Sequence, residues 1–194
     1  MEYSKAEIPL SGEKLAANSE AYGALIHENL RPDTIWLDAG CGWRLLEDDL
    51  EPLEDWLVVQ GRVVTDMDYS VTSHRNISRL VEGWLYALPF ADNSFDLVTC
   101  NMVVEHLDHP ARAFAEVARC LRSGVTLVIK TPNLLNYGVL ANAVASRTMP
   151  EKLRLRLVRS SDSREPEDVF PVRYKANTMR RLVSLLKASG LHVH

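Results

Sequence analysis

Asp38, Gly40, Gly42 and Asp68 are the residues whose types and spacing first point to chemistry. The first three close the stretch TIWLDAGCGWR, residues 34–44, where an apolar run ends on an acid and turns at once through two glycines. The glycines permit a tight turn and leave no β-carbon to hold a ligand away from the backbone. A helix after such a turn points its free N–H groups into the crevice. Asp68 ends a second apolar run, and a carboxylate there can accept from both hydroxyls of a ribose. Its other reading is a helix N-cap, a role Ser70 could fill instead; Asp66, two residues earlier, faces the same way. The combination is that of a nucleotide-binding α/β unit.

The elements that must position these residues follow from hydrophobic periodicity. A helix is expected over residues 11–30, its face carried by Leu15, Ala16, Tyr22, Leu25, Ile26 and Leu30. A strand over 35–37 ends at Asp38, and an acidic helix over 45–57 is interrupted near Pro52. A second strand over 62–67 and a short helix over 71–79 follow; residues 81–86 then lead to a turn at 91–94. A third strand over 95–100 ends at Asn101, a helix spans 110–121, and Ser123-Gly124 turns into a fourth strand over 125–129. Beyond it lie an apolar lid helix over 134–145 and a basic segment over 149–159, read as helix in preference to strand. A helix capped by Asn177 or Thr178 runs to Ala188, and residues 191–194 read as the start of another strand. Strands alternating with helices call for an α/β fold, a mostly parallel sheet with right-handed crossovers.

At 194 residues the chain has the length of one domain. The expected division is a helical lead-in over 1–33, a core over 34–131, a lid and substrate insertion over 132–176, and a last helix with the start of a terminal strand over 177–194. A hydrophobic content of 46%, a charged content of 25% and a net charge of −4 are those of an ordinary globular protein; they argue against a dedicated nucleic-acid binder. Cys41, Cys100 and Cys120 share no metal-type spacing and read as reduced thiols of a cytoplasmic protein; no metal is expected. The N-terminus is too polar for a signal peptide, and no apolar run approaches bilayer-spanning length.

With these residues assembled, the chain resembles the class I S-adenosylmethionine-dependent methyltransferases, in particular the bacterial small-molecule group with the type 11 domain. LDAGCG resembles the family's first motif and DMDYS the acidic end of its second strand. The strongest match is ALPFADNSFDLVTCNMVVEHLDHPARAFAEVARCLRSGVTLVI. The resemblance implies a Rossmann-like three-layer αβα sandwich whose last strand or strands are missing or truncated here. It implies S-adenosylmethionine as cofactor and S-adenosylhomocysteine as product. Asp38 and the backbone of Ala39, Gly40, Cys41 and Gly42 would face the methionine end, Asp68 would hold the ribose, and Tyr69 and Leu85 would pack beside the adenine. Asn101 and Met102 would lie along the sulfonium side, with His106 at the mouth of the site. Two positions depart from the family pattern. Arg44 replaces a third glycine, a cation that could pair with the methionine carboxylate or obstruct it, and Trp84 stands where an acid often meets the adenine amino group. A dinucleotide oxidoreductase fits less well, because Leu45 occupies its third glycine and Asp68 comes later than its ribose acid.

Methyl transfer from a sulfonium mostly requires two reactants held in line; a base is needed only for a protonated acceptor. His106 is the candidate base, since histidine titrates near neutrality, while Glu105 reads as a cap or ion-pair partner. Substrate choice is expected in residues 131–181, with Tyr137, Arg173 and Tyr174 as candidate contacts. The arginines of KLRLRLVR could meet an acidic substrate or an anionic membrane surface, or form a solvated basic face. The reading is methyl transfer to a small-molecule acceptor, oxygen preferred over other atoms. Its alternative is a non-catalytic cofactor-binding or scaffold protein, and an exposed sheet edge leaves a homodimer open.

Overall fold

The computed structural model describes residues 17–40, 46, 51–60, 63–68, 79–136 and 171–193. Two compact units result, Met1–Asn101 with Arg119–Lys130, and Met102–Ala118 with Thr131–His194. The first unit carries α1 (Ala17–Asn29), β1 (Ile35–Ala39), α2 (Glu51–Gln60), β2 (Val63–Asp68), β3 (Arg79–Glu82), β4 (Phe95–Asn101) and β5 (Leu121–Lys130). The second carries a 3-10 turn (Val104–His106) and α4 (Met179–Ala188); α3 (Pro110–Cys120) runs from the second unit into the first.

The five strands among the described residues are all parallel, in the order β3-β2-β1-β4-β5. Trp36 and Leu37, neighbours on opposite faces of β1, are both fully buried, as are Leu97 and Val98 on β4. Covering on both sides is why these strands read as unbroken apolar runs. Trp36 pairs in register with Val64 on one side and Leu97 on the other, a layer that packs against Tyr22 and Ile26 of α1 and Leu53, Leu57 and Val58 of α2. The two helices approach closely at Gly23, where an added β-carbon would lie 2.8 Å from Leu53 Cδ2. No helix among the described residues is long and apolar enough to cross a membrane.

Several expected elements change. Pro52 does not interrupt a helix; it lies in the first turn of α2, where a missing N–H removes no intrahelical bond. Arg79 begins a strand, not the end of a helix, because β3 pairs with β2 from Thr65↔Arg79 to Asp68↔Glu82. β5 starts at Leu121, four residues before its expected start, and Ser123-Gly124 lies inside the strand. The register there jumps from Phe95↔Leu121 to Leu97↔Thr126, with Gly124 at φ +78°, as in a bulge. Residues 191–193 belong to no strand. Gly190, at φ +81°, donates to the Lys187 carbonyl and Leu191 to that of Leu186, so the chain closes α4 with a left-handed cap. Thr178 is the N-cap of α4, accepting from the Arg181 amide. The greater part of the expected lid, from residue 137, and the basic segment lie outside the described residues.

Candidate active site

β1 is where the strand order reverses: the chain runs outward through β2 and β3 on one side, then returns to β4 on the other. In open α/β sheets ligands bind outside the carboxyl ends of the strands at such a point. A buried polar chain spans it. The Trp36 indole N–H donates to Thr99 Oγ1 at 2.9 Å, and Thr99 Oγ1 donates to Asp38 Oδ1 at 2.6 Å. Asp38 and Thr99 are register partners, and Trp36 lies two residues before Asp38 on the same face of β1. The result is a carboxylate only 1% exposed, held in orientation by the neighbouring strand. Burial, with the Asp38 charge nearby, pushes the Cys100 thiol far up, so it stays protonated and is no nucleophile.

Gly40 and Leu46, on either side of residues 41–45, are each tied to a neighbouring element. Gly40, at φ +84°, occupies a conformation that L side chains rarely adopt, and its N–H donates to the Met67 carbonyl of β2 at 2.7 Å. Past the turn, the Leu46 amide donates to Glu54 Oε2 at 2.9 Å, and this buried acid of α2 anchors the returning chain. Asp68 is the last residue of β2 and stands in register with Glu82, the last of β3. Leu85 is half-buried in a tight turn closed by the Ala87 amide on the Trp84 carbonyl at 2.9 Å. Trp84 is 58% exposed there, turned largely toward solvent.

In the second unit, Met102 takes φ +55° immediately after β4 and is 44% exposed. The 3-10 turn then presents Glu105 and His106. Glu105 is 2% exposed, and its Oε2 accepts from Thr131 Oγ1 at 3.0 Å, while Thr131 accepts from Asn177 Nδ2 at 2.7 Å. The Glu105 backbone carbonyl also accepts the amides of Arg173 and Tyr174, at 2.6 and 3.0 Å. Burial raises the Glu105 carboxyl above its ordinary value, against the opposing pull of a backbone hydrogen bond, His106 and Thr131. His106 Nδ1 lies 3.2 Å from the Pro171 carbonyl. A carbonyl only accepts, so Nδ1 carries the proton in this contact and Nε2 is the acceptor of the neutral ring.

A family model described as a methyltransferase domain matches residues 37–129, from the middle of β1 to the end of β5. The stretch from β1 to β5 is thus similar to a methyltransferase domain. Malonyl-[acyl-carrier protein] O-methyltransferase of Hahella chejuensis is 31% identical over 128 residues, a match covering 58% of this chain and 40% of that one. Demethylmenaquinone methyltransferase of Corynebacterium efficiens is 28% identical over 134 residues, covering 66% of this chain and 55% of that one. The crystal structure of the YcgJ protein of Bacillus subtilis shares the fold, with a TM-score of 0.57 at 20% identity over 88% of this chain and 67% of that one. The chain spans about half or less of the length of the curated relatives it matches.

Within the matched stretch, Asp38, Ala39 and Gly40 form the end of β1 and its turn, while Asp68 and Asn101 end β2 and β4. Met102, His106, Arg173 and Tyr174 belong to the second unit. There the Arg173 Nε lies 3.3 Å from Asp108 Oδ1, and Tyr174 takes φ +52°. Cys41, Gly42, Arg44, Tyr69 and Tyr137 lie outside the described residues, as does the side chain of Asp68. Sequence reasoning missed Trp36, Thr99 and Glu54. Alternation along β1 places Trp36 on the face of Asp38, a signal that was present; Thr99 becomes its partner only through strand register, which no local pattern carries.

Proposed function

We propose that this chain transfers the methyl group of S-adenosylmethionine to an oxygen of a small-molecule acceptor. The observation that carries the reading is the Trp36–Thr99–Asp38 chain beside the Gly40 turn, a fixed buried carboxylate next to backbone without a β-carbon. These residues fit an adenosyl ligand that carries a free amino acid group. The carboxylate would accept from its ammonium group, and the open backbone would allow close approach. Asp38, the backbone of Ala39, Gly40, Cys41 and Gly42, and Asn101 with Met102 are assigned to the methionine and sulfonium end. Asp68 is assigned to the ribose, and Tyr69 and Leu85 to the adenine.

When bound, the cofactor supplies a methyl group on a positively charged sulfur that departs as the neutral thioether of S-adenosylhomocysteine. The chain's own work is to orient and to exclude water, effects worth about 7–11 kcal/mol in well-aligned systems. His106 is assigned the role of base. With Nδ1–H held by the Pro171 carbonyl, Nε2 can take the proton that a hydroxyl acceptor releases as its oxygen bonds to the methyl carbon. Oxygen is preferred because a base serves a protonated acceptor, and one relative is named an O-methyltransferase. Arg173, Tyr174 and Tyr137 are the proposed acceptor contacts.

Calorimetric titration with S-adenosylmethionine and S-adenosylhomocysteine tests the cofactor. Micromolar binding supports the reading; no heat and no thermal shift at millimolar cofactor would end it. Asp68→Ala is expected to weaken binding by about 1–3 kcal/mol through lost charged hydrogen bonds. Unchanged affinity in that variant removes Asp68 from the site. A screen of hydroxyl acceptors with labelled methyl donor then tests the base, since His106→Ala should lower the rate by about 10²–10⁴-fold and leave cofactor affinity intact.

A further inference from the structure

The second unit holds a cavity of about 650 Å³ that the methyl-transfer reading does not use. Among the described residues, Arg112, Lys175 and Arg181 bring three positive charges to its lining, with His109 beside them and Asp108 as the carboxylate. That carboxylate is already engaged. Lys175 Nζ lies 3.0 Å and Arg173 Nε 3.3 Å from Asp108 Oδ1, and the Lys175 ammonium also donates to the Asp108 backbone carbonyl at 2.9 Å. The Lys175 hydrogen bond, with the charges of Arg173, Lys175 and His109 nearby, holds the Asp108 carboxyl below its ordinary value, so it stays ionised. A cationic hollow on a chain whose net charge is −4 is a local reversal of the overall field.

We propose that this cavity binds the phosphate group of an organic phosphate, with the phosphate against Arg181 and Lys175 and the carbon-bearing part over Leu185. A tetrahedral dianion has enough acceptor oxygens to meet a guanidinium fork and an ammonium at once, which a planar carboxylate does less well. Leu185 is buried in the wall and gives the cavity an apolar side that inorganic phosphate alone would not use. α3 begins at the cavity, so its dipole adds positive potential. Its amides add little more, because the Arg112 and Ala113 N–H groups both turn back to the His109 carbonyl. The binding is therefore assigned to side chains, and charge reversal tests it.

The experiment is a titration of isotopically labelled full chain with inorganic phosphate, phenyl phosphate and benzoate, each at constant ionic strength, read by amide chemical shifts. Saturable shifts confined to the amides around residues 108–112, 175 and 181–185 are expected, with phenyl phosphate the tightest of the three. Arg181→Glu should weaken phenyl phosphate by about tenfold or more, the scale of one lost charge-assisted contact. Arg180→Glu makes the same charge change one residue away on the same helix, off the cavity lining, and should cost less than about twofold. Arg181→Gln serves should the reversal impair folding. Equal losses at positions 180 and 181, shifts that never saturate, or benzoate binding as tightly as phenyl phosphate would each overturn the proposal. Sedimentation with phosphatidic acid vesicles distinguishes the source: capture that depends on Arg181 identifies a lipid headgroup, and phenyl phosphate binding without capture identifies a soluble ester. The proposal does not rest on methyl transfer. Calorimetry with S-adenosylhomocysteine on Arg181→Glu keeps the two apart, because each can fail alone.

Discussion

Thr99 carries a hydroxyl in the middle of an apolar strand, where it receives the Trp36 indole N–H and passes its own proton to Asp38. Replacing it by valine keeps the shape but leaves a buried donor and a buried carboxylate each short of a partner. Thr99→Val is therefore expected to lower stability by about 1–3 kcal/mol in urea unfolding, with Thr99→Ser recovering most of the loss. Equal stability of the valine variant would mean that the chain of hydrogen bonds contributes nothing net. Glu105 makes the opposite kind of statement. Its carboxyl is raised above the ordinary 4.5, chiefly by burial, so the unfolded chain gives up this proton at lower pH than the folded one. The stability tied to the protonated form is complete below the unfolded value and is lost as pH rises through the folded one. Glu105→Gln cannot ionise, so unfolding measured between about pH 4 and pH 8 should show a smaller alkaline-side decline than in the parent chain. An identical pH slope would show that Glu105 ionises alike in both states.

One carboxylate at the start of β4 joins three strands. Asp96 Oδ2 accepts the Ile35 amide of β1 at 3.0 Å, and its other oxygen pairs with Arg122 of β5. Burial opposes its ionisation, yet the Ile35 amide and the Arg122 guanidinium outweigh burial and hold the carboxyl below its ordinary 3.8. A depressed acid contributes stability above the unfolded value and loses it as pH falls through the folded one. Asp96→Asn should then be less stable than the parent at neutral pH, the gap closing below about pH 3. A gap that persists in acid would assign the loss to packing, not charge. Such cross-strand ties explain what could be read in advance. β1 and β4 were legible because both faces are buried and the apolar runs are unbroken, and so was the turn at Gly40 that ends β1. β3 was not: RLVE is short, largely exposed and without an apolar run, so nothing separates it from a helix end until it pairs with β2. Pro52 misled for a related reason, since proline breaks a helix interior but is tolerated in a first turn, and the helix start carried no clear signal.

At the scale of the whole molecule, the order β3-β2-β1-β4-β5 puts the two strands that carry Asp38 and Thr99 in the middle of the sheet. β1 is paired on both sides and β4 likewise, while β3 ends the sheet among the described residues and exposes most of its side chains. A site that must keep a carboxylate in one orientation gains from this placement, because local opening there requires breaking two ladders at once. Hydrogen exchange should show the gradient. Amides of Trp36, Leu37 and Val98 are expected among the slowest, and those of Leu80 and Val81 about a hundredfold faster, ~2.7 kcal/mol easier to open. Adding S-adenosylhomocysteine at about a hundred times its dissociation constant should raise global protection by roughly the same ~2.7 kcal/mol. Were β3 as protected as β1, its outer side would be covered by a further element or a second chain. Were the central strands unaffected by the ligand while the melting temperature rose, the ligand would be bound away from the carboxyl ends of β1 and β4, and the assignment of Asp38 to the methionine end would be withdrawn.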